Sequence, residues 1–401
     1  MEGEWYRWDV KQHFQRFLSA APERLHFAAH SHHLWPDVTF DAQQQAWLDA
    51  ARLADHKWDH VFGTVWPAAQ KHIARELHLP DPQSLVFASN THEFVVRILS
   101  CLRDGARIVT SDSEFHSFER QTRRLEEEGL FHVERVPSEP FATFGERLVA
   151  AAKREPTDLV FFSQVFFNSS AIVRDLEAIV RALPSDALVV VDGYHGFCAV
   201  PTDFASLADR AFYVAGGYKY AMAGEGACFL HVPASVDLRP RNTGWFAAFG
   251  ALQEKVAGRV PFAGAGMRFM GATFDPTALY RFDAVMSWRD RIGLTTAKTR
   301  ARAHALQRRF VDALARSPHA SIDPARLVVP IADEQRGQFL TFRTPDAREL
   351  STQLDGVNVV TDARDDRLRF GFGVYQDESD VDALVERIAT LAPTRPAPVS
   401  P

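Results

Sequence analysis

The sequence predicts an α/β fold, with a large domain built on a seven-stranded, mainly parallel sheet and a small C-terminal α+β domain. Most short apolar runs before about residue 285 are continuous, which is typical of strands buried on both faces. Helical segments lie between several of these runs, and strands that alternate with helices favour a parallel sheet. The predicted strands are 85–89, 107–111, 131–137, 159–165, 187–193, 210–216 and 227–233.

The length of 401 residues suits a large domain followed by a smaller one. We predict an N-terminal segment over 1–40, a large domain over 41–284 and a small domain over 285–392. A proline-rich tail over 393–401 is expected to be disordered. Within the small domain the patterns predict a helix near 295–316, strands at 326–331, 338–344 and 367–373, and a closing helix from about Glu378.

The composition argues against several classes of function. The net charge of −6 and the isoelectric point of about 6.2 disfavour a protein that grips nucleic acid or anionic lipid. The three cysteines, Cys101, Cys198 and Cys228, form no CxxC pair and no metal-ligand spacing, which is typical of free thiols in a reducing compartment. No signal-peptide pattern and no stretch long enough to span a membrane is present, so we expect a cytoplasmic protein.

Polar residues follow several predicted strands at the point where each strand ends. Asp192 follows one strand, Lys219 follows the next, and Asn90, Thr91 and His92 precede a helix. Ligands of open α/β sheets bind at the carboxyl ends of the strands. Each residue alone has an ordinary explanation, because such a lysine is usually solvated, such an aspartate often caps a turn, and Asn-Thr is a common helix start. Their occurrence together, in this order, indicates one particular cofactor.

That cofactor is pyridoxal 5′-phosphate. Its aldehyde needs a lysine amine, here Lys219, with which it forms a Schiff base. Its ring nitrogen needs a carboxylate, here Asp192, which keeps the ring protonated and able to accept electrons from a carbanion. Its phosphate needs hydroxyl and backbone N–H groups at a helix N-terminus, here Asn90 and Thr91.

The whole pattern resembles the fold-type I pyridoxal-phosphate enzymes, in the class V aminotransferase group that includes kynureninase and the cysteine desulfurases. The resemblance covers about residues 25–390. The stretch VVVDGYHG ending at Gly196 is similar to the family's strand–Asp–x–x–His/Gln element, which implies that Asp192 pairs with the ring nitrogen and that His195 lies near the phenolic oxygen or the phosphate. The segment GYKY around Lys219 is closer to the Ser-Tyr-Lys-Tyr of kynureninase than to the Ser-Gly-His-Lys of desulfurases, and Tyr218 would assist proton transfers.

Further site residues are implied by the same resemblance. SEFHSF is similar to the Ser-Glu-Phe-Pro-Ser of kynureninase, which makes Phe115 the residue that stacks on the cofactor ring. LRFGFGVYQD places Arg369 where the family binds the substrate α-carboxylate, a task that suits the bidentate fork of arginine. The N-terminal segment would pack on the active site and the small domain, with His30 and Ser31 at the substrate entrance. His92 would join Asn90 and Thr91 at the phosphate.

Two loops are similar to active-site loops of the family, and the first of them implies a homodimer with shared active sites. Thr273 lies in RFMGATFDP, where relatives place a Gly-Thr near the phosphate of the neighbouring subunit. Trp245 lies in a segment similar to the Gly-Trp loop of kynureninases, which borders the substrate. As bare sequence features, the first could equally be an interdomain loop and the second could be packing. We expect no metal site, because neither His30–His32–His33 nor His56–His60 is completed by a cysteine or carboxylate.

The function that the resemblance implies is kynureninase-like hydrolysis of a β–γ carbon bond in an α-amino acid. The alternative is a class V aminotransferase or a β-eliminating lyase that acts on another amino acid. A cysteine desulfurase is disfavoured because it needs a nucleophilic cysteine in the C-terminal part, and no cysteine follows Cys228. The sequence departs from many relatives at Phe167, beside Asn168, where an asparagine is common. This departure leaves the substrate side chain open.

Overall fold

The computed structural model describes residues 10–251, 258–316, 319 and 321–392. The predicted tail over 393–401 and the first nine residues of the N-terminal segment lie outside the described residues. None of the described helices is both long enough and apolar enough to cross a membrane. The α-helices are α1 (Gln15–Ser19), α2 (Val38–Leu53), α3 (Lys57–His60), α4 (Trp66–Leu77), α5 (Thr91–Leu99), α6 (His116–Glu127), α7 (Phe144–Arg154), α8 (Leu176–Ala182), α9 (Thr277–Arg291), α10 (Thr296–Arg316), α11 (Ala347–Gly356) and α12 (Glu378–Ile388).

A seven-stranded, mostly parallel sheet forms the centre of the fold, which confirms the predicted α/β class. The spatial order of its strands is β2-β8-β7-β6-β5-β3-β4. Only β8 runs antiparallel to its neighbours in this sheet. The strands are β2 (Leu85–Ala88), β3 (Ala106–Ser111), β4 (Phe131–Val136), β5 (Leu159–Ser163), β6 (Leu188–Asp192), β7 (Phe212–Gly216) and β8 (Cys228–His231), and each falls on a predicted one.

The apolar runs explain why this sheet is covered on both faces. Every residue of β2, β5, β7 and β8 is buried, as continuous apolar strands require. One hydrophobic cluster joins these strands to the helices that pack on them. Gly193, directly after β6, is required by close packing, since a Cβ there would lie 1.9 Å from a ring atom of Tyr213. The sheet therefore holds the ends of its strands in fixed positions.

A second cluster of buried side chains lies under a smaller sheet. It includes residues of α10, α11 and α12, and it also receives Phe27 from the N-terminal segment. The strand pair β1 (Leu25–His26) and β10 (Val359–Val360) is parallel, and β11 (Asp362–Arg364), β12 (Arg367–Gly371) and β9 (Phe339–Arg343) form an antiparallel sheet. Two clusters support two domains, and the boundary near residue 285 stays a prediction.

The predicted strand 326–331 is wrong. The segment makes a single bridge, between Leu327 and Phe342, and one further backbone hydrogen bond from Val328 to Thr341. It begins with a 3-10 turn at Pro324–Arg326, and Pro330 has no N–H group to continue a ladder. The apolar segment thus lies against β9 but does not form a strand.

Candidate active site

A cavity of about 490 Å³ opens where the strands of the large sheet end. It lies at the carboxyl ends of β2, β5, β6 and β7, and at the start of the antiparallel β8. The cavity brings together eight of the predicted site residues, namely Asn90, Thr91, His92, Phe115, Asp192, His195, Tyr218 and Lys219. Residues far apart in the chain thus meet at one edge of the sheet, as a ligand site in an open α/β sheet requires.

Lys219 and His195 are in direct contact inside this cavity. The Nζ atom of Lys219 lies 2.6 Å from Nε2 of His195, and both side chains are buried. Burial lowers the pKa of Lys219 to about 7. Burial also lowers the pKa of His195 well below its usual range, and the nearby positive charges of Lys219 and Arg369 lower it further. The imidazole is then neutral. Its Nε2 atom shares a hydrogen bond with Nζ of Lys219, and its Nδ1 atom has no hydrogen-bond partner in the described part of the chain.

Asp192 is a half-buried carboxylate that lines the cavity at the end of β6. Its Oδ1 accepts a hydrogen bond of 2.9 Å from the backbone N–H of Tyr194. Burial raises the pKa of Asp192, while that hydrogen bond and the charge of Lys219 oppose the rise. A carboxylate in such surroundings needs a cation close by to stay ionised. A protonated pyridine nitrogen is a cation of the kind that this position can hold.

Aromatic rings surround the amine of Lys219. Nζ lies 4.7 Å from the ring centroid of Tyr194, 5.5 Å from that of Phe115 and 5.7 Å from that of Tyr218. Phe115 also meets Phe167 edge to face, with ring centroids 5.6 Å apart. The rings exclude water from the amine, which is the physical cause of its lowered pKa. They also offer flat apolar surfaces to a flat ligand.

The N-terminus of α5 forms the polar end of the cavity. Asn90 caps the helix, since its Oδ1 accepts a hydrogen bond of 3.1 Å from the backbone N–H of Glu93. Thr91 and His92 follow in the first turn and line the cavity. A helix start that carries a hydroxyl and the positive end of the helix dipole suits a phosphate. Together with the lysine, the carboxylate and the aromatic ring, this end fits pyridoxal 5′-phosphate.

Arg369, His30 and Ser31 lie outside the cavity lining. Arg369 is buried on β12 and donates to the backbone carbonyl of Phe167, which does line the cavity. His30 is fully buried and stacks on Phe339, with ring centroids 4.6 Å apart. The hydroxyl of Ser31 contacts the ring of its neighbour His32, and that ring stacks on Tyr218, which lines the cavity.

Trp245 and Thr273 are also apart from the cavity, and they contact each other. The indole Nε1 of Trp245 donates to the hydroxyl of Thr273 at 3.2 Å. Both side chains are exposed, and 46% of the surface of Trp245 is accessible. A large exposed aromatic ring is typical of a surface that meets a partner.

Several cavity residues escaped the sequence reasoning. Ser163 and Tyr194 line the cavity, and Glu114 lies buried behind it, where it accepts hydrogen bonds from Ser111 and from the backbone and hydroxyl of Ser163. Burial raises the pKa of Glu114 to about 8. Tyr194 stands inside the VVVDGYHG motif and Glu114 inside SEFHSF, so their positions in those motifs were the available signal.

Comparison with protein families decides the relationship. The family described as aminotransferase class-V matches residues 35–384. The chain belongs to this family. Its cofactor is therefore pyridoxal 5′-phosphate.

Curated relatives differ in activity. The chain is 30% identical over 208 residues to isopenicillin N epimerase of Streptomyces clavuligerus, and the aligned region covers 49% of this chain and 50% of the relative. It is 30% identical over 227 residues to kynureninase of Deinococcus radiodurans, and that alignment covers 54% of this chain and 53% of the relative. A probable cysteine desulfurase of Vibrio cholerae is 23% identical over 80% of this chain and 81% of its own length. The chain thus matches only about half the length of the first two relatives.

Solved structures support the fold. A cystine C–S lyase in complex with its product cysteine persulfide superposes with a TM-score of 0.79 at 17% identity, over 94% of this chain and 100% of the lyase. The apo cysteine desulfurase of Thermococcus onnurineus gives a TM-score of 0.78 at 16% identity, over 95% and 96%. At these identities the likeness concerns the fold alone.

Proposed function

We propose that this enzyme hydrolyses the bond between Cβ and Cγ of an α-amino acid with an aromatic side chain, as kynureninase does, and releases alanine and an aryl acid. The observation that carries the proposal is the aromatic wall around Lys219, formed by Phe115, Phe167, Tyr194 and Tyr218. Such a wall suits a flat substrate. The kynureninase of Deinococcus radiodurans, similar over about half its length, supports the same reading.

Lys219 is the base of the proposed reaction. Pyridoxal 5′-phosphate, when bound, supplies an electron sink for the carbanion of the substrate. With a pKa of about 7, the amine of Lys219 can take the α-proton and return it at neutral pH. His195, 2.6 Å away, shares a hydrogen bond with this amine and keeps it oriented. Asp192 holds a positive charge at the far side of the cofactor site.

Tyr218 acts as a hydrogen donor in this proposal. Burial raises its pKa above the usual range, so its hydroxyl stays protonated at neutral pH and can donate to a developing oxyanion. When the cofactor is bound, Phe115 would stack on its ring, and Asn90, Thr91 and His92 would hold its phosphate. Arg369 binds the substrate carboxylate, behind the wall that Phe167 contributes.

The remaining predicted residues complete the site in a homodimer. Trp245 and Thr273 would border the active site of a neighbouring copy, which accounts for their exposure in a single chain. His30 and Ser31 lie on the N-terminal segment that leads to Tyr218 through the ring of His32. We infer that each active site takes residues from two subunits.

A class V aminotransferase or a β-eliminating lyase is the second candidate. It would use the same Lys219, Asp192 and Arg369, and the relative aligned over the largest share of the chain is the probable cysteine desulfurase. A persulfide-forming desulfurase is less well supported, because Cys228 is the one cysteine that lines the cavity described. Burial raises the pKa of its thiol to about 12, which leaves little thiolate.

Product analysis separates these candidates. We expect the purified holoenzyme to release alanine from L-kynurenine or 3-hydroxykynurenine, with Lys219→Ala as the inactive control. If neither compound yields alanine and added 2-oxo acids restore conversion of amino acids, the enzyme is an aminotransferase. Release of pyruvate from a β-substituted alanine, with no need for a 2-oxo acid, would instead indicate the lyase.

A further inference from the structure

Arg369 already has a carboxylate partner within its own chain. In the antiparallel pair β11–β12, Asp362 stands directly opposite Arg369. Side chains opposite each other on adjacent strands share one face of the sheet and interact. The Nη2 atom of Arg369 donates to Oδ2 of Asp362, and its Nη1 atom donates to the carbonyl of Phe167. The Nε atom is buried without a hydrogen-bond partner in the part of the chain described.

The surroundings of this pair supply little further positive charge. Nε2 of His30 lies 3.9 Å from Oδ2 of Asp362, but burial and the charge of Arg369 lower the pKa of His30 well below its usual range, so its ring is neutral. Arg364, whose side chain is 44% exposed, lies 3.5 Å from Oδ1. The positive charge of Lys219 further lowers the pKa of His30. The buried charges of Arg369 and Asp362 therefore cancel to a first approximation.

A ligand carboxylate that binds Arg369 would add a negative charge to this balanced pair. A simple carboxylic acid would place two carboxylates on one buried guanidinium, and a buried charge without a partner is costly. An α-amino acid brings its own ammonium group, so the site with the ligand stays near neutral. The balance thus favours ligands that carry both charges over ligands that carry the carboxylate alone.

We propose that Asp362 is the internal counter-ion of Arg369 and a specificity-determining residue, which disfavours simple carboxylic acids relative to α-amino acids. The proposal rests on the carboxylate-binding role of Arg369 in the proposed function. Asp362 acts through Arg369, and it need not touch the substrate.

A matched pair of ligands tests this. L-Phenylalanine and 3-phenylpropionate share one skeleton, and only the first carries an ammonium group. For Asp362→Asn holoenzyme, we expect 3-phenylpropionate to bind about tenfold more tightly than to the wild type, with a smaller change for L-phenylalanine. The variant lacks the partner of a buried charge, so we also expect its Tm to be lower than that of the wild type. Added 3-phenylpropionate should raise the Tm of the variant by more than it raises the Tm of the wild type. Calorimetry measures the affinities and thermal unfolding measures the Tm values, and neither measurement depends on turnover.

Two further variants make the outcome decisive. Asp365→Asn, on the exposed turn of the same hairpin, should leave both affinities unchanged. Arg369→Gln should abolish binding of both ligands. If Arg369→Gln abolishes binding but Asp362→Asn binds 3-phenylpropionate no more tightly than the wild type, the counter-ion proposal is overturned and the carboxylate role of Arg369 stands. If Arg369→Gln binds both ligands normally, that role fails first. Asp362→Ser carries the same expectation should Asp362→Asn not fold.

Discussion

The end of the large sheet and the surface around Trp245 differ in how complete they are within one chain. At the sheet, Lys219 and His195 are buried and contact each other from two different strand ends, and the half-buried Asp192 lines the same cavity. Around Trp245, the rings of Trp245 and Phe249 and the side chain of Thr273 are exposed, and Trp245 donates a hydrogen bond to Thr273. The first region assembles its chemistry on its own strands, whereas the second needs a surface that a single chain does not provide.

This difference separates two kinds of functional residue. Residues at the sheet depend on the fold of their own subunit, so changing them should abolish activity in any assembly. Residues around Trp245 depend, in our proposal, on a second copy. Variants of the two regions should therefore respond differently when subunits are mixed.

The largest effect is expected for Lys219→Ala. The variant lacks both the amine that bonds the cofactor and the base for the α-proton, so activity should fall by about 10³–10⁴-fold. Steady-state assays of alanine release measure the loss. Lys153→Ala, at an exposed position in the last turn of α7, is the control and should stay active. Activity of Lys219→Ala close to that of the wild type would contradict the assignment.

Asp192→Asn is expected to have the next largest effect. An amide there cannot stabilise a buried positive charge, and loss of an adjacent carboxylate changes a partner's pKa by about 1–3 units. We expect kcat to fall about a hundredfold, together with a changed visible spectrum of the bound cofactor. If kcat and spectrum both stay as in the wild type, Asp192 does not face the ring nitrogen.

Trp245→Ala is expected to lower activity about tenfold, since an aromatic contact at an interface contributes about 1–2 kcal/mol. The sharper experiment mixes this variant with Lys219→Ala after reversible dissociation. If sites are shared, each hybrid dimer has one intact site, and random mixing should give about a quarter of the wild-type activity. No gain over the separate variants would mean that Trp245 serves the cavity of its own chain, or none.

The smallest effect concerns stability and pH. The pKa of Lys219 falls from its ordinary value of 10.5 to about 7 in the folded protein. Between these values the unfolded chain binds more protons than the folded chain, so the stability of the apoenzyme should rise with pH across this window. Denaturant titrations should show this rise in the wild type and a weaker one in Lys219→Met. Equal slopes in both proteins would place the proton uptake elsewhere.

Much of the fold could be predicted from the sequence, since buried parallel strands leave continuous apolar runs. The cluster of Asn90, Asp192 and Lys219 could also be predicted, because strand ends meet at one edge of the sheet and the motifs are local. The apolar run 326–331 misled the prediction, since Pro324 just before it and Pro330 within it disfavour a regular ladder.

Contacts that depend on tertiary packing could not be predicted. Asp362 faces Arg369 only because of the register of a hairpin in the small sheet, and no motif marks it. Glu114 stands beside Phe115 in the chain, yet its burial against Ser163 follows from how α6 begins next to β5. The separation of Trp245 from the cavity likewise depends on the path of a long loop.

Locating the bound cofactor tests the central claim most directly. The holoenzyme is reduced with borohydride, digested, and its peptides are identified by mass spectrometry. We predict that the mass of the reduced cofactor is found on the peptide that contains Lys219 and on no other. A cofactor attached to a different lysine in the wild-type protein would contradict the account.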